Sequence, residues 1–277
     1  MTEALSLLPI AAARPMKILL IGDPKQLPPV TATMQSNEEQ DGTDNCPRND
    51  FSRTMYDRLA QMSKSSSLRI QYRCHPKIAE ICSHLFYDGT LKHGIDELDR
   101  LPLFPSLSTI TAVNNVGEDT KRGESSINKS ECRLICQMLM VLKSCLSDSG
   151  APERTIGVIC MYKAQAFEIN EAMASACGNM RQSNIIISTV DAFQGNEMDI
   201  IIICTTRNTA SEFLSNPNRI NIAISRARSH LILVGNIKVL KENALWGKVF
   251  SFPHNLVDGF PQFENMLNGD GSNSSNS

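Results

Sequence analysis

Residues 199–205 read Asp-Ile-Ile-Ile-Ile-Cys-Thr, and this run decides the fold class. Four consecutive isoleucines make both faces of a β-strand apolar, because successive side chains point to opposite sides of a sheet. A strand that buries both faces is expected in a parallel sheet with helices packed on each side. The run therefore predicts an α/β fold, a doubly wound parallel sheet with helices on both faces.

Short apolar runs bounded by turn residues alternate along the chain with segments of helical periodicity. The predicted strands are 17–21, 107–113, 155–161, 184–188, 199–205 and 230–234. The predicted helices are 51–62, 76–86, 128–146, 163–177, 219–228 and 237–242, with Asn49 and Asp50 as candidate caps of the first. Residues 31–50 are polar, which predicts a long loop, and residues 268–277 predict a disordered tail. The alternation is typical of the same fold class.

The composition restricts the class of protein. Lys and Arg total 27 against 29 for Asp and Glu, so bulk charge does not indicate a protein that coats nucleic acid, although a narrow basic groove is compatible with it. The nine cysteines lack paired C-x-x-C spacing, which predicts reduced, buried side chains rather than a zinc site or a disulfide framework. No apolar run is long enough to span a membrane. We expect a soluble, monomeric protein of the cytoplasm or nucleus.

The segment Gly22-Asp23-Pro24-Lys25-Gln26 directly follows the predicted strand 17–21. It would then lie at the carboxyl end of a strand, where α/β sheets bind ligands. The Gln26 amide can donate to a γ-phosphate and accept from an attacking water. The alternative is a Gly-Pro turn with solvated side chains, and this motif alone leaves both open.

The segment Gln71-Tyr72-Arg73 precedes Pro76, a favourable first-turn residue for the predicted helix 76–86. Tyr72 offers a flat face for stacking, and Arg73 offers a forked donor that matches phosphate oxygens. The alternative is a core aromatic beside a surface ion pair.

Residues 187–197 form a polar loop between two apolar strands. A loop at a strand end can reach both a nucleotide and a nucleic-acid backbone. The alternative is that Thr189 and Asp191 cap a short helical turn and that Glu197 is solvated.

Residues 219–228 contain three arginines and are predicted to form a helix with an apolar face towards the sheet. Arg219, Arg226 and Arg228 would project outwards, where an arginine can stabilise a transferring phosphoryl group. The alternative is a set of surface arginines near a helix C-terminus, which is a favourable place for cations.

Taken in order, these four motifs closely resemble those of superfamily 1 helicases, in the branch of the nonsense-mediated-decay RNA helicase, senataxin-type helicases and the immunoglobulin-mu-binding helicase. The resemblance implies ATP bound between two RecA-like domains. It implies that residues 1–30 end the first domain, 31–66 form a loop and linking helix, 67–245 form the second RecA-like domain, and 246–277 form a C-terminal extension with the disordered tail.

The resemblance also implies roles for individual residues. Those implied in ATP hydrolysis are Gln26, Arg73 and Arg226, and those implied in binding ATP are Gln26, Tyr72, Gly195 and Glu197. Those implied in binding single-stranded RNA or DNA are Pro28, Asn128, Tyr162, Gln165, Thr189 and Val190. Asn128 has an alternative role as a helix N-cap, with Glu131 completing a capping box.

The family pattern is incomplete in this sequence. It contains no G-x-x-x-x-G-K-[ST] phosphate loop and no Asp-Glu pair after a strand, so we expect the Mg²⁺ ligands on a missing first domain and no metal ligand here. Four positions depart from the usual residues, namely Cys74, Met161, Asn196 and Asn218. We expect a truncated gene model, a domain fragment or a shortened product that is inactive alone. The alternative is a non-catalytic nucleic-acid-binding or regulatory module.

Overall fold

The computed structural model describes residues 3–29, 54–62, 65–147, 154–177, 184–209, 211 and 213–269. The chain divides into two compact units, Met1–Leu68 and Arg69–Ser277.

Unit 1 contains two helices, α1 at Glu3–Ala13 and α2 at Met55–Met62. Helix α2 begins with a reciprocal cap: Thr54 Oγ1 accepts from the Asp57 amide at 3.0 Å, and an Asp57 carboxylate oxygen accepts from the Thr54 amide at 3.1 Å. These bonds satisfy two amides at the start of the helix. The predicted helix over 51–62 is thus confirmed from Met55 onwards, whereas the predicted caps Asn49 and Asp50, like the loop 31–50, lie outside the described residues.

The predicted strand over 17–21 is wrong, because no described residue pairs with this segment as a strand. Ile18, Leu19 and Ile21 are 53%, 83% and 86% exposed. An apolar run becomes a strand only when a neighbouring strand satisfies its backbone groups. Gln26 therefore does not follow a strand in this structure.

Unit 2 alternates strands with helices. Its strands are β1 at Ile70–Gln71, β2 at Lys92–His93, β3 at Ile110–Asn114, β4 at Asp119–Arg122, β5 at Ser125–Asn128, β6 at Ile156–Cys160, β7 at Ile185–Thr189, β8 at Met198–Cys204, β9 at Ala227–Gly235 and β10 at Asn255–Asp258. Its helices are α3 at Pro76–Phe86, α4 at Lys129–Ser147, α5 at Lys163–Cys177, α6 at Pro217–Ile224, α7 at Ile237–Glu242, α8 at Ala244–Val249 and α9 at Gly259–Asn268.

The main sheet of unit 2 has six parallel strands in the order β10-β3-β9-β8-β6-β7. Strand β8 lies in the interior of the sheet, and its residues Ile200 to Ile203 are fully buried. This confirms the predicted doubly wound α/β class. Because every strand runs the same way, the sheet has one amino-terminal edge and one carboxyl-terminal edge. The site residues of unit 2 that the sequence predicts divide between these two edges.

The predicted helix over 219–228 is wrong in its second half. Helix α6 ends at Ile224, and strand β9 begins at Ala227 after a turn at Ser225 and Arg226. Strand β9 pairs with both β3 and β8. These backbone hydrogen bonds use the amides and carbonyls that a longer helix would need. Arg226 and Arg228 consequently do not project from a helix.

The last strand and the last helix have no counterpart in the sequence-based predictions. Strand β10 pairs with β3 and continues the sheet beyond residue 245. The apolar pattern of β10 is weak, because Val257 is the only buried residue of its four and the apolar Leu256 is 53% exposed. Helix α9 follows it directly and buries Phe263 and Leu267.

Candidate functional site

Three separate motifs meet at the amino-terminal edge of the sheet. Glu197 directly precedes β8, Arg226 and Arg228 flank the first residue of β9, and Arg73 lies between β1 and α3. Their backbone is linked as well, since the His75 amide donates to the Arg228 carbonyl at 2.7 Å. The fold thus brings together side chains that are up to 155 positions apart in the sequence, as the numbers of Arg73 and Arg228 show.

Glu197 is the acid at the centre of this cluster. One of its carboxylate oxygens accepts from Arg73 Nε, and the other accepts from Arg228 Nε at 3.0 Å and from Arg228 Nη2. Partial burial would raise the pKa of Glu197, but the hydrogen bonds from Arg228 and Arg73 outweigh it and lower the pKa. Glu197 is therefore an ionised carboxylate that fixes two guanidinium groups, and it is not simply solvated.

Arg226 lies inside the protein beside this pair. It is only 3% exposed, and it donates from Nε to the Ile222 carbonyl and from Nη1 to the Asn196 carbonyl, both at 3.3 Å. Burial, followed by the nearby charge of Arg73, lowers the pKa of Arg226, yet an arginine keeps its charge at any physiological pH. The expected outward projection of Arg226 is wrong, since its side chain is buried and bonded to two carbonyls at the edge of the sheet.

Arg100 also belongs to this edge, although no sequence motif indicates it. It donates from Nε to the Arg73 carbonyl at 3.1 Å and from Nη2 to the Tyr72 carbonyl at 3.3 Å. Two bonds from one planar group hold the backbone of both residues. Arg100 therefore fixes the segment that carries Tyr72 and Arg73.

Tyr72 presents its ring at the surface, where it is 61% exposed. One face of the ring lies against Gly94, so close that a Cβ at this position would overlap Tyr72 Cε1. The Gly94 amide also donates to the Gln71 carbonyl at 2.8 Å. The ring is thus supported from one side and exposed on the other.

The loop over 190–197 connects the two edges, because it leaves the carboxyl end of β7 and enters the amino end of β8. Val190 and Phe193 anchor it with exposures of 1% and 0%. Gly157 makes room for this anchor, since a Cβ there would lie 2.5 Å from Phe193 Cζ. Gly195 adopts φ +93°, a conformation that favours glycine, and the next carbonyl, that of Asn196, accepts from Arg226.

Asn128 and Gln165 lie at the carboxyl-terminal side and bind each other. The Asn128 amide donates to Gln165 Oε1 at 2.7 Å, and Gln165 Nε2 donates to the Asn128 carbonyl at 3.0 Å. Their exposures are 1% and 0%. Asn128 Oδ1 also accepts from the Glu131 amide at 3.0 Å, so Asn128 is the N-cap of α4.

The predicted capping box is only half formed, because Glu131 turns elsewhere. Its Oε1 accepts from the Thr206 amide at 3.1 Å, and Asn128 Nδ2 donates to the Thr206 carbonyl at 3.2 Å. Thr206 has φ +67°, which is unusual for a β-branched residue. Burial raises the pKa of Glu131 to about 7, against opposing hydrogen bonds from the Thr206 backbone and its neighbours. The start of α4 thus holds a strained residue just after β8.

The other predicted strand-binding residues are spread over both units. Tyr162 follows β6; its hydroxyl lies 3.0 Å from Ser211 Oγ, and its ring lies 5.3 Å from that of Phe213. Thr189 is half-buried at the end of β7. Gln26 and Pro28 belong to unit 1, where Gln26 Nε2 donates to an Asp23 carboxylate oxygen at 2.9 Å. Tyr162, Gln165, Thr189 and Val190 therefore share the carboxyl-terminal side of unit 2.

Metal-binding clusters and membrane-spanning helices are both absent from the described part of the chain. No group of three His, Cys, Asp or Glu side chains among them could hold a metal ion. None of the helices in the described part of the chain has the length and apolarity to cross a membrane.

The chain is similar in sequence to known helicases. A family model described as an AAA domain, AAA_12, matches residues 51–238. The chain is 38% identical over 277 residues to the 5'-3' DNA helicase ZGRF1 of Mus musculus, covering 96% of this chain and 14% of that protein. It is 31% identical over 267 residues to Regulator of nonsense transcripts 1 of Caenorhabditis elegans, covering 91% of this chain and 23% of that protein.

The structure also aligns with the C-terminal domain of a possible DNA helicase from Lactobacillus plantarum WCFS1, with a TM-score of 0.40 and 14% identity over 67% of this chain and 98% of that one.

The family match makes this a helicase-like domain related to ATP-dependent DNA and RNA helicases. The chain belongs to the superfamily 1 helicases, in the branch that includes Regulator of nonsense transcripts 1 and senataxin, which confirms the resemblance seen in the motifs. The chain spans less than a quarter of the length of the curated relatives ZGRF1 and Regulator of nonsense transcripts 1.

Proposed function

We propose that unit 2 is the second motor domain of an ATP-dependent RNA or DNA helicase. It would act with a partner domain that carries the G-x-x-x-x-G-K-[ST] loop, with ATP between the two. The observation that carries the proposal is the convergence of Arg73, Arg226 and Arg228 around Glu197 at the amino-terminal edge.

The charges of this cluster suit a phosphate group. Three guanidinium groups against one carboxylate leave an excess of positive charge. At an effective dielectric constant near 20, a unit charge about 4 Å away gains roughly 4 kcal/mol from each such cation. Arg226 is buried and bonded before any ligand arrives, so little free energy is needed to orient it when charge develops on a transferring phosphoryl group.

We assign the ATP-facing roles on this basis. Arg73 and Arg226 stabilise the γ-phosphate, the free face of Tyr72 stacks near the nucleotide base, and Glu197 holds Arg73 and Arg228 in place. The turn at Gly195 positions the Asn196 carbonyl, which accepts from Arg226. Gln26, by the family resemblance, contacts the γ-phosphate or the attacking water. No group of three His, Cys, Asp or Glu side chains among the described residues could hold Mg²⁺, and we place its ligands on the partner domain.

A single strand of RNA or DNA is proposed to cross the carboxyl-terminal side. Tyr162 follows β6 there, Thr189 ends β7, and Val190 comes directly after it. Pro28 is proposed to bind the strand as well. Asn128 and Gln165 bind each other, which suits residues that fix the shape of this edge beneath the strand. Such binding depends mainly on the backbone and carries little base information.

The chain by itself provides the first test. We expect weak ATP binding in calorimetry, because the backbone loop and lysine that hold the β- and γ-phosphates are absent from this sequence. We expect an affinity for single strands that falls as salt rises. Micromolar ATP binding by the chain alone would contradict the proposal that the ATP site is shared with a partner domain.

Assembly with the partner domain gives the second test. Strand-stimulated ATP hydrolysis should appear only in the assembled protein. If the assembled protein binds a strand and still shows no hydrolysis, unit 2 is a regulatory module and the motor assignment fails.

Replacement of Arg100 tests the support of Arg73. In the assembled protein, Arg100→Ala should lower kcat roughly tenfold, because about 1.4 kcal/mol of transition-state stabilisation depends on the position of the Tyr72–Arg73 backbone. The melting temperature and strand affinity should change little. Arg100→Lys cannot form two parallel bonds, so its kcat should lie between those of the wild type and Arg100→Ala. A drop in melting temperature with unchanged kcat would show that Arg100 only stabilises the fold.

A further inference from the structure

The hairpin of β4 and β5 and the first turns of α5 enclose a surface pocket of about 380 Å³. It is lined by Arg122, Ser125, Lys163, Ala164 and Phe167. A bond from the Ala164 amide to Ser125 Oγ at 3.0 Å joins the hairpin to the helix. The pocket is large enough for one planar group of nucleotide size.

Phe167 forms the apolar wall of this pocket and is 54% exposed. A single exposed aromatic is ordinary, but this one lies beside two cations. Lys163 is four residues earlier in α5 and therefore on the same face of the helix. The guanidinium carbon of Arg122 lies 5.7 Å from the centre of the Phe167 ring. An aromatic face between cations is the arrangement that binds unpaired nucleotides.

The charges around the ring favour an anionic ligand over a neutral one. Arg122 donates from Nη1 to Glu168 at 3.1 Å, so that part of its charge is compensated. Lys163 is exposed at the first position of α5, directly after Tyr162. A phosphate beside Lys163 would leave its base over Phe167, one helical turn further along.

We infer that this pocket binds one nucleotide of a single-stranded nucleic acid, with the base stacked on Phe167 and the phosphate beside Lys163 and Arg122. The inference rests on the proposed strand-binding function and extends the path beyond Tyr162 along α5. The pocket recognises shared features of RNA and DNA, a flat base and an anionic backbone. Phe167 belongs to none of the motifs discussed above.

Binding of labelled oligo-dT and oligo-rU about 15 nucleotides long to the whole chain tests this, with fluorescence anisotropy as the readout. Phe167→Ala should weaken binding about tenfold with an unchanged salt slope, whereas Phe167→Tyr should stay within about threefold. Lys163→Gln should reduce the slope of log K against log salt by about 0.7. The two oligonucleotides show whether the pocket distinguishes the sugars.

Matched controls separate the pocket from general effects. Leu256→Ala removes a similarly exposed apolar side chain on β10, and Lys248→Gln removes an exposed charge on α8; neither should change affinity. Phe167→Trp adds a reporter to a chain whose only other tryptophan, Trp246, is fully buried, and a stacked base should quench it.

Strand binding by the wild-type chain and by Phe167→Ala distinguishes failure of this inference from failure of the proposed function. If the wild-type chain binds strands in a salt-dependent way and Phe167→Ala binds equally well, the pocket is not part of the path and only this inference fails. If the wild-type chain binds no strand even at low salt, the proposed strand-binding function fails and this inference fails with it.

Discussion

Arg226→Ala should reduce the kcat of ATP hydrolysis by on the order of 10³ in the protein assembled with its ATP-binding partner domain. The buried guanidinium is held by the carbonyls of Ile222 and Asn196, so its position does not depend on the ligand. Removing a preorganised cation removes stabilisation that matters most when charge develops on the phosphoryl group. Strand affinity should remain nearly unchanged, because Arg226 lies at the amino-terminal edge and the proposed strand path lies at the other.

The experiment measures steady-state hydrolysis and strand binding on the same preparation. Arg226→Lys keeps a charge but not the planar fork, and it should recover only part of the rate. Arg154→Gln is the matched control, since Arg154 also lies near the sheet and pairs with Asp199 at 3.8 Å but is outside the cluster. Unchanged hydrolysis in Arg226→Ala, or a selective loss of strand binding, would show that the arginine has been assigned to the wrong ligand.

Apolar runs predicted the class of fold, because buried strands such as β8 and the ends of α3 and α5 leave strong local patterns. The order of motifs singled out Arg73, Arg226 and Glu197, but it did not indicate that Arg228 joins Arg73 on the Glu197 carboxylate. The turn at Ser225 was missed. Isoleucines at 220, 222 and 224 and an alanine at 227 suit either a helix or a strand, and pairing with β3 and β8 decides between them.

The sequence does not indicate contacts between residues that are far apart along the chain. Arg100 reaches the Tyr72 and Arg73 carbonyls from a loop about 27 residues away, and Glu131 reaches the Thr206 amide across 75 residues. Neither bond follows from spacing, because each depends on where the folded chain places a side chain. The buried carboxyl of Glu131 is the clearest case, since the sequence indicated only a local cap.

Replacement of Glu131 should change how stability depends on pH. Burial raises the pKa of Glu131 from 4.5 to about 7, so the stability that its protonated form contributes is complete below pH 4.5 and is lost as pH rises through 7. Burial lowers the pKa of His230 from 6.5 to about 4, although the ring also bonds to the Ser108 carbonyl. Its contribution is complete above pH 6.5 and is lost as pH falls towards 4.

Between pH 4.5 and 6.5 the two dependences have opposite signs and nearly cancel. Glu131→Gln keeps an oxygen for the Thr206 amide but does not titrate, so the His230 dependence should emerge. The free energy of unfolding of the variant, minus that of the wild type, should rise with pH by about 2 kcal/mol across this window. Urea unfolding at three pH values, followed by the fluorescence of buried Trp246, measures this difference in unit 2. His230→Gln should shift the difference in the opposite direction. Parallel pH curves for Glu131→Gln and wild type would contradict the raised pKa of Glu131.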